Sequence, residues 1–138
     1  MTKKVIVSAC LAGLNCRYDG DNKRREDIVE MVKRGEAIPV CPEQLGGLST
    51  PREPAEAVEE KVLTINGRDV TFEYSRGADE AFLITQMSGA TEALLKSKSP
   101  MCGVGSVYDG SFTGTMKNDD GIFTKLLKKA GIKVTPVD

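Results

Sequence analysis

Short apolar runs alternate with helical patterns along this chain of 138 residues, and the alternation restricts the fold strongly. Runs rich in β-branched and apolar residues predict four buried strands, over residues 4–9, 37–40, 93–98 and 132–137. Apolar residues at helical spacing predict helices over 21–34, 77–89 and 121–130. Strands that alternate with helices favour an α/β fold, a mainly parallel sheet flanked by helices in three layers of the Rossmann type.

An inserted β-hairpin is predicted between the second strand and the second helix. Residues 61–65 and 69–74 would form its strands, because Asn66-Gly67 supplies the positive φ that a tight type I′ turn requires. The segment before it, 43–56, is rich in Gly and Pro and predicts a long ordered loop. A chain of 138 residues suits one buried core, so we expect residues 1–138 to form a single domain.

Composition argues against several classes of protein. The chain has 19 Lys and Arg against 20 Asp and Glu, a net charge of −1, which disfavours a strongly basic nucleic-acid scaffold. No apolar run approaches the roughly 20 residues needed to span a bilayer, so we do not expect a membrane protein. The charged start is followed by an apolar segment too short for a signal peptide, and we expect a cytoplasmic protein.

The sequence contains no histidine and four cysteines. The lack of histidine removes the commonest general base and the commonest zinc ligand, and it excludes Ser-His-Asp and Cys-His catalysis. Any chemistry must therefore depend on cysteine, carboxylate, hydroxyl, lysine, tyrosine or backbone groups.

Three of the cysteines follow predicted strands. Cys10, Cys41 and Cys102 each stand at the carboxyl end of one, and in an open parallel sheet these ends share the edge where ligands bind. A single free cysteine more often fills the core. Three at equivalent places favour convergence of their thiols on one site.

The residues alone leave several kinds of cysteine site open. A disulfide framework is disfavoured in a reducing cytoplasm, and Cys10 and Cys16 are too far apart for a Cys-x-x-Cys redox motif. Structural zinc held by four cysteines lacks its usual closely spaced pairs. Widely spaced thiolates without histidine suit an iron–sulfur cluster, and three of them would leave one iron of a [4Fe–4S] cluster open.

Six motifs, taken in order, resemble those of one bacterial family. The resemblance to the thiouracil desulfidase family extends from about Val5 to about Val134, and the motifs are specific in combination. They are Ser8-Ala9-Cys10-Leu11-Ala12-Gly13, Cys16-Arg17-Tyr18-Asp19-Gly20, Cys41-Pro42-Glu43, Gly46-Gly47-Leu48-Ser49-Thr50-Pro51-Arg52, Ser99-Pro100-Met101-Cys102-Gly103 and Tyr108-Asp109-Gly110-Ser111-Phe112.

The resemblance implies an enzyme with a [4Fe–4S] cluster held by Cys10, Cys41 and Cys102. Its implied substrate is a small thiolated pyrimidine, hydrolysed to the oxo base and hydrogen sulfide, with thiolated transfer RNA a less expected partner. By position Glu43 matches the family's acidic residue, and a carboxylate is the natural base for water when histidine is absent. Ser99 matches the family's serine and would donate a hydrogen bond or relay a proton.

Two interpretations compete with a desulfidase. Cys16 would close the site if it supplied a fourth thiolate, giving a non-catalytic iron–sulfur or zinc module for structure or sensing. Alternatively, Cys10 and Cys16 would act as a thiol redox pair. Met101, where serine is common in the family, is a departure close to the site that spares the proposed ligands.

Three basic residues fall within or beside the motifs. Arg17, Arg52 and Lys98 would bring positive charge to the pocket, which helps to bind an anionic substrate. Ion pairs with loop carboxylates such as Asp19 and Glu53 are the more expected role.

Overall fold

The computed structural model describes residues 3–138. Its helices are α1 (Glu26–Lys33), α2 (Pro42–Leu45), α3 (Thr71–Ser88) and α4 (Ile122–Lys129), and a 3₁₀ helix covers Ala9–Ala12. Its strands are β1 (Val5–Ser8), β2 (Ala37–Val40), β3 (Ala55–Val58), β4 (Lys61–Thr64), β5 (Glu92–Lys96), β6 (Val107–Tyr108), β7 (Met116–Lys117) and β8 (Lys133–Val137).

The main sheet has four strands in the order β2-β1-β5-β8, and every neighbouring pair is parallel. In the centre of the sheet Ile6 of β1 lies opposite Ile38 of β2 and Ala93 of β5. The carboxyl ends of β1, β2 and β5 consequently lie along one edge. The predicted α/β fold with a mainly parallel sheet is confirmed.

Helices cover both faces of this sheet. Ile6 packs with Phe123 and Leu127 of α4 in one apolar cluster, whereas Val7 packs with Ile28 of α1 in another. Complete burial of a side chain such as Phe123 stabilises the fold by about 1.5–3 kcal/mol. The result is the three-layer arrangement predicted from the alternation of strands and helices. In the described part of the chain, no helix combines the length and the apolar character of a membrane span.

The β-hairpin differs from the predicted one. β3 pairs antiparallel with β4 and turns at residues 59–60, where Glu59 has a φ of 57°. The Asn66-Gly67 turn also forms, with Gly67 at a φ of 84°. Beyond it, however, the chain adds only one bridge, between Leu63 and Asp69. The predicted strand over 69–74 is therefore wrong.

Helix α3 covers residues 71–74 of that predicted strand. It begins at Thr71, six residues before the predicted start, because the Asp69 carboxylate accepts a hydrogen bond from the Thr71 N–H at 2.9 Å. Such an interaction satisfies one of the free N–H groups of the first turn. Tyr74, Ala78 and Ala81 then repeat at helical spacing and are buried. A short apolar segment is compatible with the spacing of a strand or of a helix. Here the longer helical pattern over 71–88 determines the structure.

Two other predicted boundaries change for local reasons. α1 begins at Glu26 instead of residue 21, because side chains of Asp21 and Asn22 accept hydrogen bonds from the backbone of the preceding loop. Such bonds compete with helix formation. The predicted loop over 43–56 contains most of α2, which has Pro42 at its first position, where the missing N–H costs nothing.

A second two-stranded sheet, β6–β7, was not predicted. Each of its strands has two residues, too few for an alternating pattern to be visible in the sequence. A bridge between Lys98 and Val107 joins this sheet to the segment after β5. It thereby brings Tyr108 to the carboxyl edge of the main sheet.

Candidate active site

A cavity of about 180 Å³ lies at the carboxyl edge of β1, β2 and β5. All five residues that the sequence singled out as ligands or catalytic groups contribute to its wall. They are Cys10, Cys41, Glu43, Ser99 and Cys102. The wall also includes Ser8, Cys16, Arg17, Tyr18, Tyr74, Lys96, Lys98 and Tyr108.

Three of the four free thiols are immediate neighbours. Cys16 is only 3% exposed, and its backbone oxygen accepts a hydrogen bond from the Cys41 thiol at 3.7 Å. Hydrogen bonding to Cys16 lowers the pKa of Cys10 and lowers that of Cys41 to about 7. The same two neighbours raise the pKa of Cys16. Cys10 and Cys41 are therefore the members of this trio that most readily become thiolates.

Cys102 approaches the cavity from the loop after β5 and has a different environment. Burial raises the pKa of its thiol, and a hydrogen bond from the Ser8 hydroxyl opposes that effect. Ser8 is itself buried and accepts the Lys96 N–H at 2.9 Å. Ser99 Oγ accepts the Cys102 N–H at 2.8 Å, so the proton of the Ser99 hydroxyl is still available for donation.

Two lysines add positive charge to the cavity wall. Lys96 ends β5, and burial lowers the pKa of its ammonium group while the nearby Cys10 opposes the change. Lys98 follows with a φ of 77°, an uncommon conformation for a residue with a side chain. A cation beside Cys10 favours the thiolate over the thiol.

Arg17 and Arg52 each form an ion pair with a carboxylate. Arg17 lies 3.7 Å from Asp19, as predicted. Arg52 does not pair with Glu53; its guanidinium lies 3.4 Å from Glu43 Oε2 instead. Arg52 thus forms an ion pair with a carboxylate, as expected, and its partner is Glu43 because the loop between α2 and β3 folds back on α2.

Glu43 is placed by the start of α2. Cys41 ends the extended segment and Pro42 opens the helix, so the thiol and the carboxylate leave the chain within one turn. The fixed φ of proline limits the freedom of that junction. Tyr74 of α3 donates a hydrogen bond to Glu43 Oε1 at 2.5 Å.

Two glycines allow α2 to approach α3 closely enough for that contact. A Cβ at Gly46 would lie 1.9 Å from the Glu73 oxygen, and a Cβ at Gly77 would lie 1.8 Å from the Pro42 oxygen. Any side chain at either position would therefore push the helices apart.

The comparisons with known proteins agree with this site. A family model described as 2-thiouracil desulfurase matches residues 5–138, nearly the whole chain. The chain belongs to this family. The resemblance noted from its motifs is thereby confirmed.

Two proteins similar to this chain are informative. YbbK of Bacillus subtilis (strain 168), an uncharacterised protein, is 39% identical over 140 residues, which cover 94% of this chain and 93% of YbbK. A solved structure of the [4Fe-4S]-dependent thiouracil desulfidase TudS is 44% identical and has a TM-score of 0.93. That match covers 98% of this chain and 91% of the TudS chain.

Sequence reasoning assigned no role to Ser8 or Tyr74. Ser8 lies within the first motif, two residues before Cys10, so the motif itself indicates that Ser8 is close to the site. Tyr74 meets Glu43 across 31 residues of sequence, and no local pattern reveals such a contact.

Proposed function

We propose that this protein is an iron–sulfur-dependent desulfidase that hydrolyses the thiocarbonyl of a thiolated pyrimidine. The observation that carries the proposal is the convergence of Cys10, Cys41 and Cys102 with Glu43 on one cavity. The family match and the likeness to TudS support the same activity.

The donor set fits a [4Fe–4S] cluster held by Cys10, Cys41 and Cys102. Thiolates are the usual ligands of such clusters, and two of these thiols have a lowered pKa. Within residues 3–138, no three His, Cys, Asp or Glu side chains are grouped compactly enough for a single metal ion. The three cysteines also lack the closely spaced pairs that are usual for structural zinc, which favours a cluster of several atoms. When bound, the cluster supplies a soft, Lewis-acidic iron with an open position for sulfur.

Glu43 performs the proton chemistry in this proposal. Its carboxylate accepts a proton from water as the water oxygen forms a bond to the thiocarbonyl carbon. The carbon–sulfur bond then breaks, and sulfur leaves with two protons as hydrogen sulfide. Water and the thiocarbonyl yield the oxo base and hydrogen sulfide, so no electrons are exchanged and no reductant is needed.

Other side chains of the cavity orient the substrate. Ser99 can donate its hydroxyl proton to the pyrimidine or relay a proton, because its oxygen is already bound to the Cys102 N–H. Lys96 and Lys98 bring positive charge to the cavity, which favours binding of a thiolated pyrimidine in its deprotonated, negatively charged form.

The substrate in this proposal is a small molecule. A cavity of about 180 Å³ suits a single base better than a folded RNA. Binding of transfer RNA requires many phosphate contacts, which a chain with a net charge of −1 is poorly equipped to make. Four free thiols fit a reducing compartment such as the cytoplasm, which we propose as the location.

A second candidate function is a closed iron–sulfur module without catalytic activity. The observation in its favour is the Cys16 thiol, which adjoins Cys10 and Cys41 and lines the same cavity. If Cys16 were a fourth ligand, no iron would be open to substrate. Iron content would then be normal and sulfide release absent.

Anaerobic reconstitution followed by a sulfide-release assay tests the proposal. The protein is loaded with iron and sulfide, its iron and acid-labile sulfide are counted, and 2-thiouracil is added. We expect about four irons per chain, as the [4Fe–4S] composition requires, together with equal yields of uracil and hydrogen sulfide. A loaded protein that releases no sulfide from any thiolated pyrimidine would support the closed module. A colourless protein that retains zinc would contradict both iron–sulfur functions and favour a non-catalytic zinc module.

A further inference from the structure

The Glu43 carboxylate is held at both of its oxygens. Tyr74 donates to Oε1 at 2.5 Å, and the Arg52 guanidinium lies 3.4 Å from Oε2. A carboxylate has about four lone-pair positions, so these two contacts leave positions free to accept a proton from a third group.

Tyr74 is a rigid partner for Glu43. Its side chain is 2% exposed and belongs to the apolar cluster between α3 and the sheet. The close contact at Gly46 and Gly77 fixes α3 against the helix that carries Glu43. The tyrosine hydroxyl therefore has little freedom to leave the carboxylate.

Arg52 is equally restrained. It donates to the Cys16 oxygen at 2.8 Å, to the Ser49 oxygen at 3.1 Å and to Thr50 Oγ1 at 3.0 Å. Its side chain is only 7% exposed. One guanidinium thus connects the carboxylate to the loop that carries Cys16 and to the loop after α2.

We propose that Tyr74 and Arg52 are positioning residues that fix the Glu43 carboxylate in the orientation required for proton transfer. The inference rests on the proposed function, in which Glu43 is the general base. A free glutamate samples several rotamers, and only some direct an oxygen to the cavity. Contacts at both oxygens remove that freedom before the substrate binds, and such preorganisation raises the rate of the chemical step.

Burial and the contact with Glu43 also keep Tyr74 in the donor role. Burial and the adjacent negative charge of Glu43 raise the pKa of the Tyr74 hydroxyl. The hydroxyl consequently keeps its proton and donates it to Oε1. Tyr74 acts through Glu43 in this arrangement, not on the substrate.

A double-mutant cycle of Tyr74→Phe with Glu43→Gln tests the proposal in the reconstituted protein. We expect Tyr74→Phe to lower kcat about tenfold with little change in KM, because the loss of one charge-assisted hydrogen bond has about that effect. In the Glu43→Gln background the same change should have no further effect, since there is no carboxylate to orient.

Three controls separate positioning from a structural role. Iron content and Tm are measured for each variant, and rates are compared at equal iron. Thr85→Val removes a buried hydroxyl from the same helix about three turns away and should leave kcat unchanged. If Tyr74→Phe does not fold, the cycle is run with Arg52→Lys, which keeps the charge and loses the planar fork.

The outcomes distinguish this inference from the proposed function. Equal fold-losses of kcat from Tyr74→Phe in both backgrounds would overturn the positioning role while the desulfidase activity stands. A loss confined to KM would overturn it as well. A wild-type protein that loads its cluster and releases no sulfide would overturn the proposed function and, with it, the inference.

Discussion

At the scale of single residues, the Glu43 carboxylate is the group that we propose to accept a proton from water. Glu43→Gln preserves the shape of the side chain and removes the basic oxygen. We expect sulfide release from 2-thiouracil to fall about 10²–10⁴-fold, the usual contribution of a general base, with iron content unchanged. The measurement is anaerobic sulfide release at matched iron content. A rate close to wild type would move the base elsewhere, with Glu56, a carboxylate that also lines the cavity, as the next candidate.

The role of Cys16 is a second question at this scale. We expect Cys16→Ala to retain the cluster and most of the activity, because in the proposed function Cys10, Cys41 and Cys102 supply the three thiolates. Cys10→Ala should lose both. Iron per folded chain and sulfide release are measured for the two variants side by side. A Cys16→Ala protein that folds normally but binds no iron would identify Cys16 as a ligand and favour the closed module.

Local motifs in the sequence identified candidate site residues such as Cys41 and Glu43. Contacts between distant parts of the chain, such as that of Tyr74 with Glu43, were not predicted. Cys41 and Glu43 are two residues apart, so a single strand end accounts for both. The sequence did not identify Glu43 as the partner of Arg52, because a loop of Gly and Pro does not reveal which carboxylate it folds against.

At the scale of secondary-structure elements, the contact between α2 and α3 determines where Glu43 lies. Gly77→Ala would place a Cβ 1.8 Å from the Pro42 oxygen, so the helices must separate. We expect a loss of about 1–3 kcal/mol in the free energy of unfolding, the usual cost of overpacking, with lower activity. Urea denaturation measures the change. Ser75→Ala, at an exposed position on the same helix, should stay within about 0.5 kcal/mol of wild type.

The elements themselves were predicted unevenly, and the reasons are physical. β2 begins and ends where its apolar run does, since Gly35 and Cys41-Pro42 bound it. The start of α3 was missed because residues 69–74 suit both a strand and a helix, and the Asp69 contact to the Thr71 N–H decides between them. That contact is local, but a pattern of apolar residues does not show which hydrogen bond the Asp69 side chain makes.

At the scale of the whole molecule, the proposed cluster would join three parts of the chain that are far apart in sequence. Cys10 follows β1, Cys41 follows β2, and Cys102 lies in the loop between β5 and β6. A group that all three residues bind in the folded state, and not in the unfolded chain, stabilises the folded state by mass action. The stability of the entire domain should then depend on iron.

Thermal unfolding of the loaded and iron-free proteins under anaerobic conditions measures this dependence. Binding in 100-fold excess over Kd contributes about 2.7 kcal/mol, and a domain of this size gains about 4 °C in Tm per kcal/mol, so we expect a rise of about 10 °C. Cys102→Ala provides the matched control, because the same treatment should not raise its Tm. Equal Tm values for the loaded and iron-free wild type would contradict a cluster held by three strand ends, because iron bound outside the fold leaves the sheet no more stable than before.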